Sequence, residues 1–203
     1  MTKQVLVIHG GTTFDSQEDY INYLKTKELS FDRLCRELGW KDLLGQELGE
    51  RFIVLNPKMP NSTNARYEEW KIWFERIYAL LDKKPILIGH SLGGIFLAKY
   101  LAENDLPHKA KALILVAAPF KDESQESLAD FALPDSLENI NKQVDKIFLI
   151  HSQDDLVVDF AELAGYKKAL SNATEMVFTD RAHFNMADFP EMVELIKKVG
   201  AEK

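Results

Sequence analysis

The chain carries one cysteine, Cys35, in 203 residues. That excludes an internal disulfide and a cysteine-built zinc site, and such sparing use fits a reducing compartment. Cys35 itself reads as a small apolar residue on the inner face of a helix. Basic blocks are missing as well. The 25 Lys and Arg face 32 Asp and Glu, a net charge of −7, so there is no electrostatic footprint for a nucleic-acid backbone. No apolar run approaches the ~20 residues of a membrane span, and the apolar part of the N-terminal MTKQVLVIHGG is too short for a secretory signal core. A cytoplasmic location is expected, with neither nucleic acid nor membrane as partner and no obligate protein partner evident. No repeat, Gly/Ser linker or low-complexity tract divides the chain, which predicts one domain over residues 1–203.

Two kinds of apolar segment alternate along the sequence. QVLVIH (4–9), RFIVL (51–55), PILIG (85–89), KALILVAA (111–118), KIFLIH (146–151) and TEMVFT (174–179) are short and nearly continuous, the pattern of strands covered on both faces. Between them lie longer, periodic stretches. Tyr67, Trp70, Trp73, Phe74, Ile77, Leu80 and Leu81 recur every three or four residues, predicting an amphipathic helix whose aromatic stripe packs on the sheet. A final helix is predicted with Asp188 and Glu191 as a capping box, Pro190 in its first turn, Met192, Leu195, Ile196 and Val199 inward, and Gly200 at its end. Strand and helix in alternation give an α/β fold with about six mostly parallel strands and helices on both faces.

Ligands of such sheets bind at the carboxyl ends of the strands. There the third apolar run ends in GHSLGG (89–94), which fits G-x-S-x-G, a tight strand-to-helix turn that lifts a serine clear of the sheet and strains its backbone. Ser91 is the candidate nucleophile. Its hydroxyl needs a base, and of the five histidines His183, in the loop TDRAHFN after the last strand, is the candidate. The orienting carboxylate is expected after the preceding strand, where QDDLVVD holds Asp154, Asp155 and Asp159; Asp159 reads as a helix N-cap, and alternation does not decide between the other two. Donors for a developing oxyanion are expected from the backbone N–H groups of Leu92 and of Gly11, with Thr12 next after Gly11. Metal ligands at diagnostic spacing are lacking, so neither metal nor cofactor is expected.

HGG at 9–11, GHSLGG at 89–94, SQDDLVV at 152–158 and HFN at 183–185 together resemble the α/β-hydrolase family, most closely its small lidless serine hydrolases of the retinoblastoma-binding protein type. The likeness spans nearly the whole chain. It implies an α/β-hydrolase fold, three layers deep and without a large cap, and it assigns the triad acid to the second aspartate of the pair, Asp155. Leu156 stands where that family usually has proline, and Ala182 where it commonly has glycine.

The expected activity is cleavage of a carboxylic ester, thioester or activated amide, on a small-molecule acyl substrate, through an acyl-enzyme on Ser91. Acyl transfer and a binding role on a hydrolase scaffold are the alternatives. Activity is expected to climb with pH through the range of an imidazole base, ~6.5 when unperturbed. After the fourth strand, Phe120, Leu128, Phe131 and Leu133 are expected to face a shallow acyl pocket, with Lys121, Asp122, Glu123, Glu126 and Asp130 toward water.

Overall fold

The computed structural model describes residues 2–31, 35, 38–82, 84–121 and 127–202. Its six strands, β1 (Lys3–Ile8), β2 (Phe52–Leu55), β3 (Ile86–His90), β4 (Ala112–Val116), β5 (Ile147–Ser152) and β6 (Thr174–Phe178), are the six apolar runs read from the sequence. They form one parallel sheet in the order β2-β1-β3-β4-β5-β6. The order reverses direction between β1 and β3, so their carboxyl ends flank the crevice where such sheets bind ligands. β3 and β4 are buried throughout, which explains the lack of polar alternation. Edge strand β6 exposes Thr174, Glu175 and Val177.

Helices cover both faces: α1 (Gln17–Thr26), α2 (Trp40–Leu48), α3 (Tyr67–Tyr78), α4 (Leu92–Glu103), α5 (Ile140–Gln143), α6 (Glu162–Ala169) and α7 (Pro190–Ala201). One core lies between the sheet and α3, α4 and α6, the other between the sheet and α2 and α7. No large cap is inserted. Helix α4 runs against the centre of the sheet and buries nine of its residues, so the turn that starts it sits deep at the sheet's carboxyl edge.

Packing overrides the sequence pattern at several positions. In α3, Trp70, Phe74 and Tyr78 turn inward while Trp73 is exposed, and Leu80 beyond its end is exposed too. The stripe is therefore narrower than the sequence implies, because i, i+4 and i+8 already fill the space above β3 and α4. Helix α7 begins at Pro190 after Phe189, without an Asp188 cap. Its Glu191 pairs instead with Arg181, 2.7 Å away, which ties the helix to the preceding loop, and Gly200 lies inside the helix, where an added Cβ would meet the Phe52 ring at 2.8 Å. Cys35 is exposed on a bend rather than on an inner helical face. Among the described residues no helix is long and apolar enough to cross a membrane.

Candidate active site

The turn between β3 and α4 is steep. Ser91 has φ 54° and ψ −124°, a conformation that L side chains rarely adopt and that raises its Cβ above the sheet. The glycines around it are required by close approach: a Cβ on Gly89 would lie 2.6 Å from Gly94 Cα, and one on Gly93 2.6 Å from His9 O. The Ser91 N–H is held by Val116 O at 2.9 Å and its carbonyl by Gly94 N at 2.8 Å. The hydroxyl does not cap α4.

His183 and Asp155 meet across 28 residues, with Nδ1 of the histidine 2.8 Å from Oδ2 of the carboxylate. Asp155 follows β5 and His183 follows β6. The Asp155 side chain is fully buried, and its Oδ1 accepts the backbone N–H groups of Val157 and Val158 at 2.8 and 3.1 Å. Burial alone pushes this carboxyl up, but the His183 hydrogen bond and charge with those two N–H groups outweigh it and hold it below the ordinary value. Asp154 points elsewhere. Its Oδ1 takes the Ser152 hydroxyl at 2.5 Å and Ala182 N at 2.9 Å, fixing the loop that carries His183. Asp159 accepts from Ala161 N at 2.8 Å just before α6, a turn role close to the expected cap.

The HGG strip after β1 runs beside the serine: a Cβ on Gly10 would stand 3.2 Å from Ser91 Cβ, and one on Gly11 3.1 Å from a Leu92 methyl. The N–H of Thr12 is spent on Ser62 O at 2.9 Å. Those of Gly11 and Leu92 have no acceptor among the described residues. In front of Ser91 lies a recess of about 20 Å³ lined by Gly11, Thr13, Leu92, Pro119, Leu128 and Val158, room for roughly one water. Of the four apolar residues expected there, only Leu128 lines it. Phe131 is buried among Tyr67, Trp70 and Phe96, Phe120 packs on Tyr166, and Leu133 packs against the larger core. Lys121 and Asp130 are exposed, and Asp130 caps α3 by accepting Tyr67 N at 3.0 Å. Asp122, Glu123 and Glu126 lie outside the described residues.

Residues 35–198 match the family model described as serine hydrolase. The chain belongs to the serine hydrolase family. It is 32% identical over 166 residues to Serine hydrolase RBBP9 of Rattus norvegicus, covering 79% of this chain and 86% of that protein. Among solved structures, the ydeN gene product of B. subtilis superposes with a TM-score of 0.74 at 20% identity, covering 99% of this chain and 100% of the other. A meta-cleavage product hydrolase from Pseudomonas fluorescens gives 0.67 at 14% identity, covering 98% and 90%. These structural likenesses carry the α/β-hydrolase fold.

In this serine hydrolase, residues the sequence did not single out hold the His183 loop. Ala182 and Phe184, on either side of His183, both have positive φ, 43° and 53°, so the loop is strained and needs anchors. His90 Nε2 lies 2.8 Å from His183 O, 93 positions further along the chain. A carbonyl only accepts, so Nε2 carries the proton and Nδ1 accepts from Lys41 Nζ at 3.3 Å. Trp40 donates its indole N–H to Phe184 O at 2.9 Å and its main-chain N–H to Met186 O at 3.1 Å. Burial, then the Lys41 and His183 charges, push His90 well down and keep it neutral. Burial also lowers Lys41, to about 8, against the opposing pull of Asp42. The sequence signal was present only as a polar residue at the buried end of β3; its partners are remote.

Proposed function

We propose that this hydrolase cleaves carboxylic esters, or thioesters and activated amides, through an acyl-enzyme on Ser91, as a carboxylesterase-type catalyst. The observation that carries the reading is the buried contact of His183 Nδ1 with Asp155 Oδ2 at 2.8 Å, on a loop anchored through His90 to the turn that strains Ser91. Asp155 accepting the Nδ1 proton leaves the lone pair of His183 on Nε2. That nitrogen takes the Ser91 proton as Oγ attacks the acyl carbon. The negative charge forming on the carbonyl oxygen is met by the N–H groups of Leu92 and Gly11, which are fixed before the reaction and cost no reorganisation. Collapse of the adduct expels the leaving group, which takes the proton back from His183. Water then repeats the sequence against the acyl-enzyme, with His183 first as base and then as acid.

The recess beside Ser91 limits the acyl part. So shallow a recess favours a short acyl group over a fatty chain. Fluorophosphonate labelling tests the nucleophile: the native protein is expected to label and Ser91→Ala not to. Equal labelling of both, or of neither, overturns the assignment and leaves a binding role on this scaffold. A series of p-nitrophenyl esters is expected to fall in kcat/KM beyond the shortest acyl chains.

A further inference from the structure

A second concavity lies on the other side of the HGG strip. It measures about 560 Å³ and is lined by His9, Lys41, Asp42, Asn56, Lys58 and Ser62, at the carboxyl ends of β1 and β2. No residue lines both hollows, but chain neighbours and contacts link them. His9 directly precedes Gly10, Ser62 holds Thr12 N, and Lys41 touches His90, the residue before Ser91.

The chemistry of the walls is specific. Lys41 is half-buried, yet no carboxylate lies within 4 Å of its ammonium among the described residues; it touches the neutral His90 ring and the face of Trp40, 5.0 Å from the ring centre. An ammonium has three N–H donors, and one is directed at His90. Desolvated cations are ordinarily paired. Its ordinary value of 10.5 is lowered to about 8 by burial, and a bound anion relieves that penalty. Lys58 adds an exposed second cation on the same rim, in a chain whose net charge is −7. Among the described residues lining this cleft, Lys41 and Lys58 are its two cations and Asp42 its carboxylate.

We propose that this cleft seats a carboxylate on the leaving group of the substrate, with Lys41 and Lys58 as its cationic partners. The inference rests on the acyl-enzyme reading of Ser91 and names the substrate class: short-chain acyl esters of a carboxylate-bearing alcohol or phenol. The contact is ionic and partly solvated, so it is sensitive to salt.

Two probes of the same shape test it, 4-acetoxybenzoate and the neutral 4-acetoxybenzamide. The native enzyme is expected to show a KM roughly tenfold lower for the anionic probe at low salt, an advantage shrinking in 0.5 M NaCl. Lys58→Met is expected to reduce that ratio severalfold, Lys58→Glu to abolish it, and Lys41→Met to bring it near parity. Equal KM values for the two probes in the native enzyme, or an unchanged ratio in both Lys41→Met and Lys58→Glu, overturn the proposal. Calorimetric binding of the product 4-hydroxybenzoate to the Ser91→Ala protein keeps the cleft testable without turnover: binding that Lys58→Glu weakens at least fivefold supports it, and no binding overturns it. If fluorophosphonate fails to label Ser91 while 4-hydroxybenzoate still binds, the hydrolase reading fails and the anion cleft stands. If Ser91 labels and the probes are not distinguished, only the cleft fails.

Discussion

Gly93→Ala puts the geometry of the elbow under the sharpest strain. Gly93 is the second residue of α4, where alanine is the better helix former by about 0.8–1 kcal/mol. Sequence propensity therefore predicts a gain. The structure predicts the reverse, because the new Cβ would stand 2.6 Å from His9 O and 2.7 Å from the Ile8 carbonyl carbon, closer still to Ile8 O. These are backbone atoms of a central strand, so no side chain can rotate away. Relief requires α4 to withdraw from β1 by roughly 0.5–1 Å, a gap that forfeits a quarter to a half of each dispersion contact across it. Overpacking of this kind costs about 1–3 kcal/mol. With the propensity gain returned, the net loss is up to about 2 kcal/mol, a fall in Tm of up to roughly 8 °C for a chain of this size.

The effect on chemistry is larger than the effect on stability. Ser91 and the Leu92 N–H both ride on the start of α4, while the Gly11 N–H belongs to the strip from which the helix withdraws, so the proposed nucleophile and oxyanion donors separate. A displacement of about 1 Å costs on the order of 10²-fold in rate. Urea unfolding and the second-order rate of fluorophosphonate labelling measure the two effects on one preparation. A Gly93→Ala protein as stable as the native one and labelled at the native rate refutes the steric argument, and one destabilised but labelled normally refutes the coupling of helix position to the site.

Asp155→Asn is expected to lower kcat by about 10⁴-fold with little change in KM, because an amide facing Nδ1 no longer selects the productive tautomer. Asp154→Asn is expected to keep activity within an order of magnitude, since Asp154 holds Ser152 and Ala182 rather than the base; p-nitrophenyl acetate kinetics compare them, and equal losses refute the assignment of the acid. Stability is expected to fall as pH drops below the free-histidine range near ~6.5. The His90 and His151 rings are both lowered mainly by burial, so the unfolded chain binds the extra protons, with a slope of up to about 1.4 kcal/mol per pH unit for each ring. At still lower pH the depressed Asp155 carboxyl adds the same sign of dependence, its contribution present above its unfolded value and lost as pH falls through the folded one. Urea midpoints from pH 8 to 4 measure this, and a flat profile between pH 7 and 5 contradicts neutral buried histidines.

Much of the molecule was legible because its causes are local. A strand buried on both faces is apolar at nearly every position, so β3, β4 and β5 announced themselves as continuous runs, as did β1 over Val5–Ile8. The turn at Ser91 was legible for the same reason: small residues two positions away on either side are a steric condition within six residues of chain. Patterns that depend on which neighbour arrives were less secure. Trp73 and Leu80 fit a helical stripe but stay exposed, Trp73 beneath the Arg76 guanidinium, and Asp188 had the spacing of a cap while Glu191 was taken by Arg181.

The choice between Asp154 and Asp155 marks the boundary. Both stand on one short loop, and their identities alone do not say which faces inward. The decision comes from Val157 and Val158, whose N–H groups turn toward Asp155, and from the β6 loop, which presents Ala182 to one carboxylate and His183 to the other. The sequence by itself determined the order of strands and helices and the strained serine turn, since each follows from sterics and burial over a few residues. Only the tertiary structure decided the Lys41–His90–His183 chain of contacts, because a hydrogen bond between groups 93 residues apart exists only after the sheet has brought their strand ends together.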